Sequence, residues 1–141
     1  MRLSTRARYG LRLMFELAAK EKREPMFLKE IASRQNISEK YLSQIIVSLK
    51  NGGLVNTYRG AHGGYVLSRQ PENISLLEIV ELLEGDLSLV DCITAPDVCE
   101  RVSICPTRSV WNNMSSLLKN YLKEVSLADL VKNNELMNNE F

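Results

Sequence analysis

The stretch from Leu28 to Leu67 constrains this chain more than any other. Within Glu39 to Lys50, Leu42, Ile45, Ile46 and Leu49 fall at i, i+3, i+4 and i+7, the spacing of one buried helical face. Ser38 stands where an N-cap belongs, and Asn51-Gly52-Gly53 ends the helix because glycine accepts the left-handed conformation. Two short strands follow, Leu54 to Arg59 and Tyr65 to Leu67, joined by Gly60-Ala61-His62-Gly63-Gly64. Three glycines in five residues predict a tight hairpin whose backbone lets a partner approach closely. Upstream, Pro25 breaks the chain, a short helix over Leu28 to Arg34 turns Leu28, Ile31 and Ala32 inward, and Gln35-Asn36-Ile37-Ser38 forms a tight polar turn. Helix, turn, helix and glycine-rich hairpin is the order of a winged helix-turn-helix.

Ser4 or Thr5 caps a first helix running to about Lys20, with Ala7, Leu11, Met14 and Ala18 as its stripe, widened by Leu13, Phe15 and Leu17. Gly10 inside it marks close packing. Pro71 to Asn73 connect to a capping box, Ser75-Leu76-Leu77-Glu78, which opens a helix ending near Gly85 with Leu76, Ile79, Val80 and Leu83 inward. Residues 86–105 show no clear period. Pro106 fits the first turn of a long helix to about Val125, about 20 residues and roughly 30 Å. Val110, Met114, Leu117, Tyr121 and Val125 repeat along it, with Trp111, Leu118 and Leu122 extending the face, so its apolar side is expected to meet a second copy. Ser126-Leu127-Ala128-Asp129 opens a short final helix, and the Asn-rich end from Asn133 reads as frayed. The fold class is mainly α with a small β-hairpin wing. Residues 1–70 form the DNA-binding domain, 71–105 a connecting helix and cysteine-bearing loop, 106–132 a dimerisation helix and short final helix, and 133–141 a tail.

Charge separates along the chain. Residues 1–70 carry thirteen Lys/Arg and five Asp/Glu, net +8, against −7 for residues 71–141, which leaves the whole chain at +1. A basic front half suits a polyanion, and the alternative is an uneven solvated surface or an acidic protein partner. Arg2, Arg6, Arg8 and Arg12 crowd the start of the first helix, where cations oppose the macrodipole, so local stability does not explain them and phosphate contact does. No nucleophile–base pair or phosphate-cradling loop is visible, so an enzyme is not expected. No apolar run approaches a membrane span and no signal peptide is visible, so the expected location is cytoplasmic.

At the start of the third helix, Ser38, Lys40, Ser43 and Gln44 are offered to base edges in a major groove, while Glu39 is expected to support the cap or a neighbouring Arg. Gln44 can pair bidentately with adenine. Ser38 and Ser43 can bond bases or phosphates, and Tyr41 either reaches a phosphate or packs. Arg59, followed at once by glycine, suits a minor groove. His62, the only His, sits exposed on the same tip and is not assigned as a metal ligand.

The opening Met1-Arg2-Leu3-Ser4-Thr5-Arg6-Ala7-Arg8-Tyr9-Gly10, the segment Ile37 to Gln44, Asn51-Gly52-Gly53-Leu54-Val55 and the wing Arg59 to Tyr65 resemble the IscR/NsrR/CymR-type (Rrf2) family of bacterial winged-helix regulators. The resemblance runs from residue 1 to about 132. With it, the DNA-facing set becomes Arg2, Ser4, Arg6, Arg8, Tyr9, Ser38, Lys40, Tyr41, Ser43, Gln44, Arg59, Gly60, His62 and Gly63. It implies a homodimer joined through the long helix and a pseudo-palindromic double-stranded DNA operator. Many members carry an iron–sulfur cluster on three Cys before that helix, and Cys92, Cys99 and Cys105 match those positions. The cysteine-metabolism branch lacks these Cys, which points away from that branch.

Three thiols in a loop before a helix N-terminus suit a soft cluster, with two irons or four. A cytoplasmic chain is not expected to keep them as a structural disulfide. The fourth ligand is unassigned. The iron–sulfur assembly branch places a His three residues after the last Cys, where this chain has Arg108. The nitric-oxide-sensing branch uses an acidic residue of the partner near the N-terminus, where this chain has Arg8. Asp91, Asp97, Glu100, water, a small thiol or a residue from the other subunit remain as alternatives, as do cluster-free sensing by thiol oxidation and zinc binding. Some cluster-bearing relatives have Glu at the position of Ser43.

Overall fold

Four of the six helices begin where a side chain satisfies their free amides. Ser4 Oγ accepts from Ala7 N at the start of α1 (Thr5–Ala19), and Ser38 Oγ accepts from Tyr41 N at the start of α3 (Glu39–Asn51). Ser75 with Glu78 and Ser126 with Asp129 close full capping boxes on α4 (Leu76–Glu84) and α6 (Leu127–Asn139). The other two are α2 (Leu28–Gln35) and α5 (Arg108–Glu124), and β1 (Val55–Tyr58) with β2 (Gly64–Leu67) forms the hairpin. This computed structural model describes residues 1–140.

One core joins α1 to α4 with the start of α6. Leu13 and Met14 of α1, Ile31 of α2, Leu42, Ile45 and Leu49 of α3, Ile79 of α4 and Leu127 of α6 are all buried in it. Gly10 sets the spacing of α1 and α4, since a Cβ there would stand 2.1 Å from Leu83 Cδ1. The close packing expected at Gly10 is thus present.

The hairpin pairs Val55 with Leu67 and Tyr58 with Gly64, so Arg59 lies in the loop and not at the end of a strand. Met26 adds a third edge, its N–H donating to Tyr65 O at 3.0 Å and its carbonyl accepting from Tyr65 N at 2.8 Å. The wing glycines serve the hairpin itself. Gly64 has φ +125 and a Cβ there would meet Met26 O at 2.5 Å, while one on Gly63 would meet Tyr58 O at 2.3 Å. Gly60 alone faces open space, so glycine content by itself is no argument for a partner at this tip.

The C-terminal half departs from the expected boundaries. Pro106 lies outside the long helix, which starts at Arg108 and has 17 residues, so it spans about 25 Å and not 30 Å. The segment from Asn133 is not frayed, because α6 continues to Asn139. Its capping box and the buried Leu127 seed the helix, and Leu130 packs against the core, which carries it through asparagines of poor propensity. Two hydrogen bonds, Leu76 N to Val125 O at 2.9 Å and Leu127 N to Ile74 O at 3.0 Å, pin the α5–α6 corner to the start of α4.

Along α5, Ser115 is buried, and Leu118 and Leu122 are half-buried. On the other side Val110, Met114, Leu117 and Tyr121 are exposed, Leu117 at 70% and Tyr121 at 65%. Among the described residues, no helix is long and apolar enough to cross a membrane.

Candidate DNA-binding face and cysteine loop

The outward face of α3 presents Lys40, Ser43 and Gln44, all exposed, beyond the Ser38 cap. Gln44 makes no side-chain hydrogen bond among the described residues, so its amide is free for a partner. Ser43 Oγ donates to Lys40 O at 2.6 Å, which leaves only its lone pairs to offer. Tyr41 packs. Its ring meets Tyr9 edge-on at 5.8 Å and 80°, and Arg12 lies over Tyr9 at 5.3 Å. Arg12 Nε also donates to Gln35 Oε1 at 2.8 Å. Tyr9 and Tyr41 therefore clamp α1 to α3.

The cations of this face lack acidic partners. The ion pairs among the described residues use Lys20, Arg34, Arg69 and Lys119. Arg2, Arg6, Arg8, Lys40 and Arg59 are exposed and in none of them. Arg6 donates to Ser48 Oγ, which sets the start of α1 beside α3. Arg59, Gly60 and His62 stand exposed on the wing loop, whereas Gly63 is buried beneath it and Ser4 is committed elsewhere. Ser4 donates from Oγ and N to Glu84 Oε2 at 2.5 and 3.0 Å, tying the first turn of α1 to the end of α4.

Sequence reasoning passed over Arg23, which lines an open hollow of about 710 Å³ with Arg59 and His62. Its Nη2 donates to Arg69 O at 3.1 Å. The available signal was the basic pair Lys22-Arg23 just before Pro25.

The cysteine loop is laced to α5 by polar rungs. Lys119 Nζ donates to Asp86 Oδ1 at 2.6 Å, Leu89 N donates to Ser115 Oγ at 3.0 Å, and Arg108 donates from Nε and Nη2 to Cys92 O at 3.2 and 3.1 Å. Residues 108, 115 and 119 share one helical face, so the loop runs down α5 as it goes from Asp86 to Cys92. The hydrogen bond from Lys119, with those from Ser88, holds the Asp86 carboxyl down to about 2. Arg108, expected only to fail as a ligand, instead holds the loop.

Cys92 is half-buried in the turn Asp91–Ile93, Cys99 is exposed after the turn Pro96–Val98, and Cys105 is half-buried just before α5. Cys105 Sγ lies 3.3 Å from Thr107 Oγ1. That hydroxyl, the amides of Thr107 and Arg108 at the helix start and the charge of Arg101 hold the thiol below its ordinary value, against a small opposing effect of burial. Three thiols are the right donors for an iron–sulfur cluster. Among the described residues no three His, Cys, Asp or Glu side chains gather to hold a single metal ion.

With this geometry in place, likeness to known proteins bears on the site. Residues 3–133 match the family model described as Rrf2, iron-dependent transcriptional regulator. The chain is 36% identical to protein rrf2 of Nitratidesulfovibrio vulgaris over 136 residues, covering 96% of this chain and 91% of that protein. It is 39% identical to the transcriptional regulator CymR of Bacillus subtilis over 130 residues, covering 92% and 89%. The solved structure of that CymR, called a global cysteine regulator, superposes with a TM-score of 0.79 over 94% of this chain and 97% of its own. The structure of IscR from T. potens superposes at 0.78 with 36% identity, over 95% and 88%. Identity and shape do not separate the CymR and IscR branches here.

Proposed function

The chain belongs to the Rrf2 family of transcriptional regulators, and from that premise we propose that it binds a pseudo-palindromic double-stranded DNA operator as a homodimer whose affinity is set by the thiols of its cysteine loop. It is a winged-helix regulator of the IscR/CymR type and not an enzyme. The observation that carries the proposal is the double use of α5. One face holds the cysteine loop through Arg108, Ser115 and Lys119, and the other offers Val110, Met114, Leu117 and Tyr121 to a second copy. A change at the thiols therefore acts on the helix that sets the spacing of two recognition helices. Linkage requires the loop states to differ in operator affinity.

On the DNA, Gln44, Ser38, Ser43 and Lys40 face the major groove and Arg59 the minor groove. Arg2, Arg6, Arg8 and Arg23 neutralise phosphates, His62 donates a ring N–H at the wing tip, and Tyr9 and Tyr41 hold the two helices at the groove edge. Phosphate contacts set affinity and base contacts set preference.

Two readings of the thiol chemistry each have support. The three-thiol donor set and the family description favour an iron–sulfur cluster, two-iron or four-iron, on Cys92, Cys99 and Cys105, which supplies one-electron chemistry when bound. The lowered Cys105 thiol favours metal-free sensing, in which its thiolate attacks one oxygen of a peroxide, the O–O bond breaks, hydroxide or alkoxide leaves and takes a proton from water, and the sulfur becomes a sulfenic acid.

Anaerobic purification with iron, sulfide and zinc analysis, followed by DNA affinity before and after peroxide, tests both. Stoichiometric iron and sulfide with visible absorption assign the cluster. Colourless protein whose affinity responds to peroxide in the wild type and not in Cys105→Ser assigns the thiol. Affinity indifferent to iron removal and to peroxide overturns the proposal of a thiol signal.

A further inference from the structure

The outward face of α3 is polar except at one position. Val47 is 55% exposed, while the helix's other apolar aliphatic residues, Leu42, Ile45, Ile46 and Leu49, are buried. Val47 follows Ser43 by four residues and Gln44 by three, so it shares their face. A β-branched residue is a poorer helix former than Lys, Arg, Gln or Glu, and an exposed one gains nothing from the core. Neither propensity nor packing within the chain accounts for valine here.

We propose that Val47 is a specificity-determining residue that reads the C5-methyl group of a thymine in the major groove. The proposal rests on α3 being the recognition helix. Thymine is the only base that presents an apolar group in that groove, and an exposed aliphatic side chain beside Gln44 is its chemical complement. Spacing sharpens the expectation. Three residues advance about 4.5 Å along a helix at 1.5 Å each, against about 3.4 Å per base-pair step, so Gln44 and Val47 meet neighbouring base pairs. Gln44 suits adenine, and each half-site is therefore expected to hold two successive A·T pairs, one read by its adenine and the next by its thymine. Arg6, hydrogen-bonded to Ser48 beside Val47, supplies a cation for the phosphate at the same edge.

The test starts from a random pool of duplexes, from which the full-length protein selects its own operator. Each thymine of the enriched duplex is then replaced singly by deoxyuridine, which removes only the methyl group. Wild type is expected to lose about fourfold in affinity, the worth of one buried methyl, at one thymine per half-site adjacent to the essential adenine. Val47→Ala loses sensitivity at that thymine alone, and Val47→Ile keeps it. Circular dichroism and sedimentation confirm that both variants fold and assemble as wild type does. A uracil profile identical in wild type and Val47→Ala overturns the inference, as does the absence of any sensitive thymine. A Val47→Ala change in oligomeric state with an unchanged profile also overturns it, and assigns the residue to a protein contact. If no sequence is enriched, the recognition-helix reading fails before this inference is reached.

Discussion

Removing the Arg108 guanidinium is expected to loosen the cysteine loop. Arg108 makes two hydrogen bonds to Cys92 O, at 3.2 and 3.1 Å, and is half-buried. Hydrogen bonds to charged groups contribute about 1.5–3 kcal/mol each. Partial exposure and the shared acceptor argue for that sum from the pair together. Each 1.4 kcal/mol is about a factor of ten in an opening equilibrium. Arg108→Met is therefore expected to speed amide exchange about 10- to 100-fold at Ile93, Thr94 and Ala95. Their N–H groups donate to Val90 O, Asp91 O and Asp91 O within the turn that Cys92 occupies. Arg108→Lys, which keeps the charge and loses the paired geometry, falls between. Amides in the middle of α3 serve as the control and stay as slow as in wild type. Rates at Ile93 to Ala95 within about twofold of wild type would show that Arg108 does not hold the loop.

Three further outcomes follow from named contacts. Gly10→Ala gains about 1 kcal/mol of helix propensity and loses about 1–3 kcal/mol to overpacking. The new Cβ would stand 2.1 Å from the buried Leu83 side chain, so a lower urea midpoint is expected, and a higher one would show that α1 and α4 are not so close. Thr107→Val removes the strongest influence holding Cys105 below its ordinary value, so the pH of half-maximal alkylation at Cys105 rises; an unchanged profile denies the hydrogen bond. Asp86 is held down to about 2, so its contribution to holding the loop is complete above the ordinary carboxylate range and is lost as pH falls toward that value. Carboxyl NMR is expected to show Lys119→Met returning its titration toward about 3.9.

Local signals in this chain were legible. Ser38, the Ser75–Glu78 box, the stripe Leu42, Ile45, Ile46 and Leu49, and the close packing at Gly10 depend on spacings within a few residues, and a periodic chain displays such spacings directly. Contacts between a long side chain and a distant main-chain group were not. Arg108 on the Cys92 carbonyl depends on where an aperiodic loop runs. Ser4 on Glu84 depends on the crossing of α1 and α4, and neither leaves a pattern in the sequence. Glu16 is similar, buried at 8% exposure because Gln35 Nε2 donates to it at 2.5 Å. The wing glycines misled for a related reason. Their count suggested a partner, whereas Gly63 and Gly64 answer to Tyr58 and Met26, the latter lying outside the hairpin altogether.

The most direct measurement is the ratio of dissociation constants for a selected duplex and a shuffled one, taken over a salt series for wild type and Gln44→Ala. Wild type is expected to prefer a pseudo-palindrome with half-sites about one helical turn apart or a multiple of it. Its affinity falls steeply with salt as phosphate contacts are lost, and Gln44→Ala keeps that slope while losing most of the preference. A ratio near one at every salt concentration, with no difference between the two proteins, would contradict sequence-specific recognition by α3.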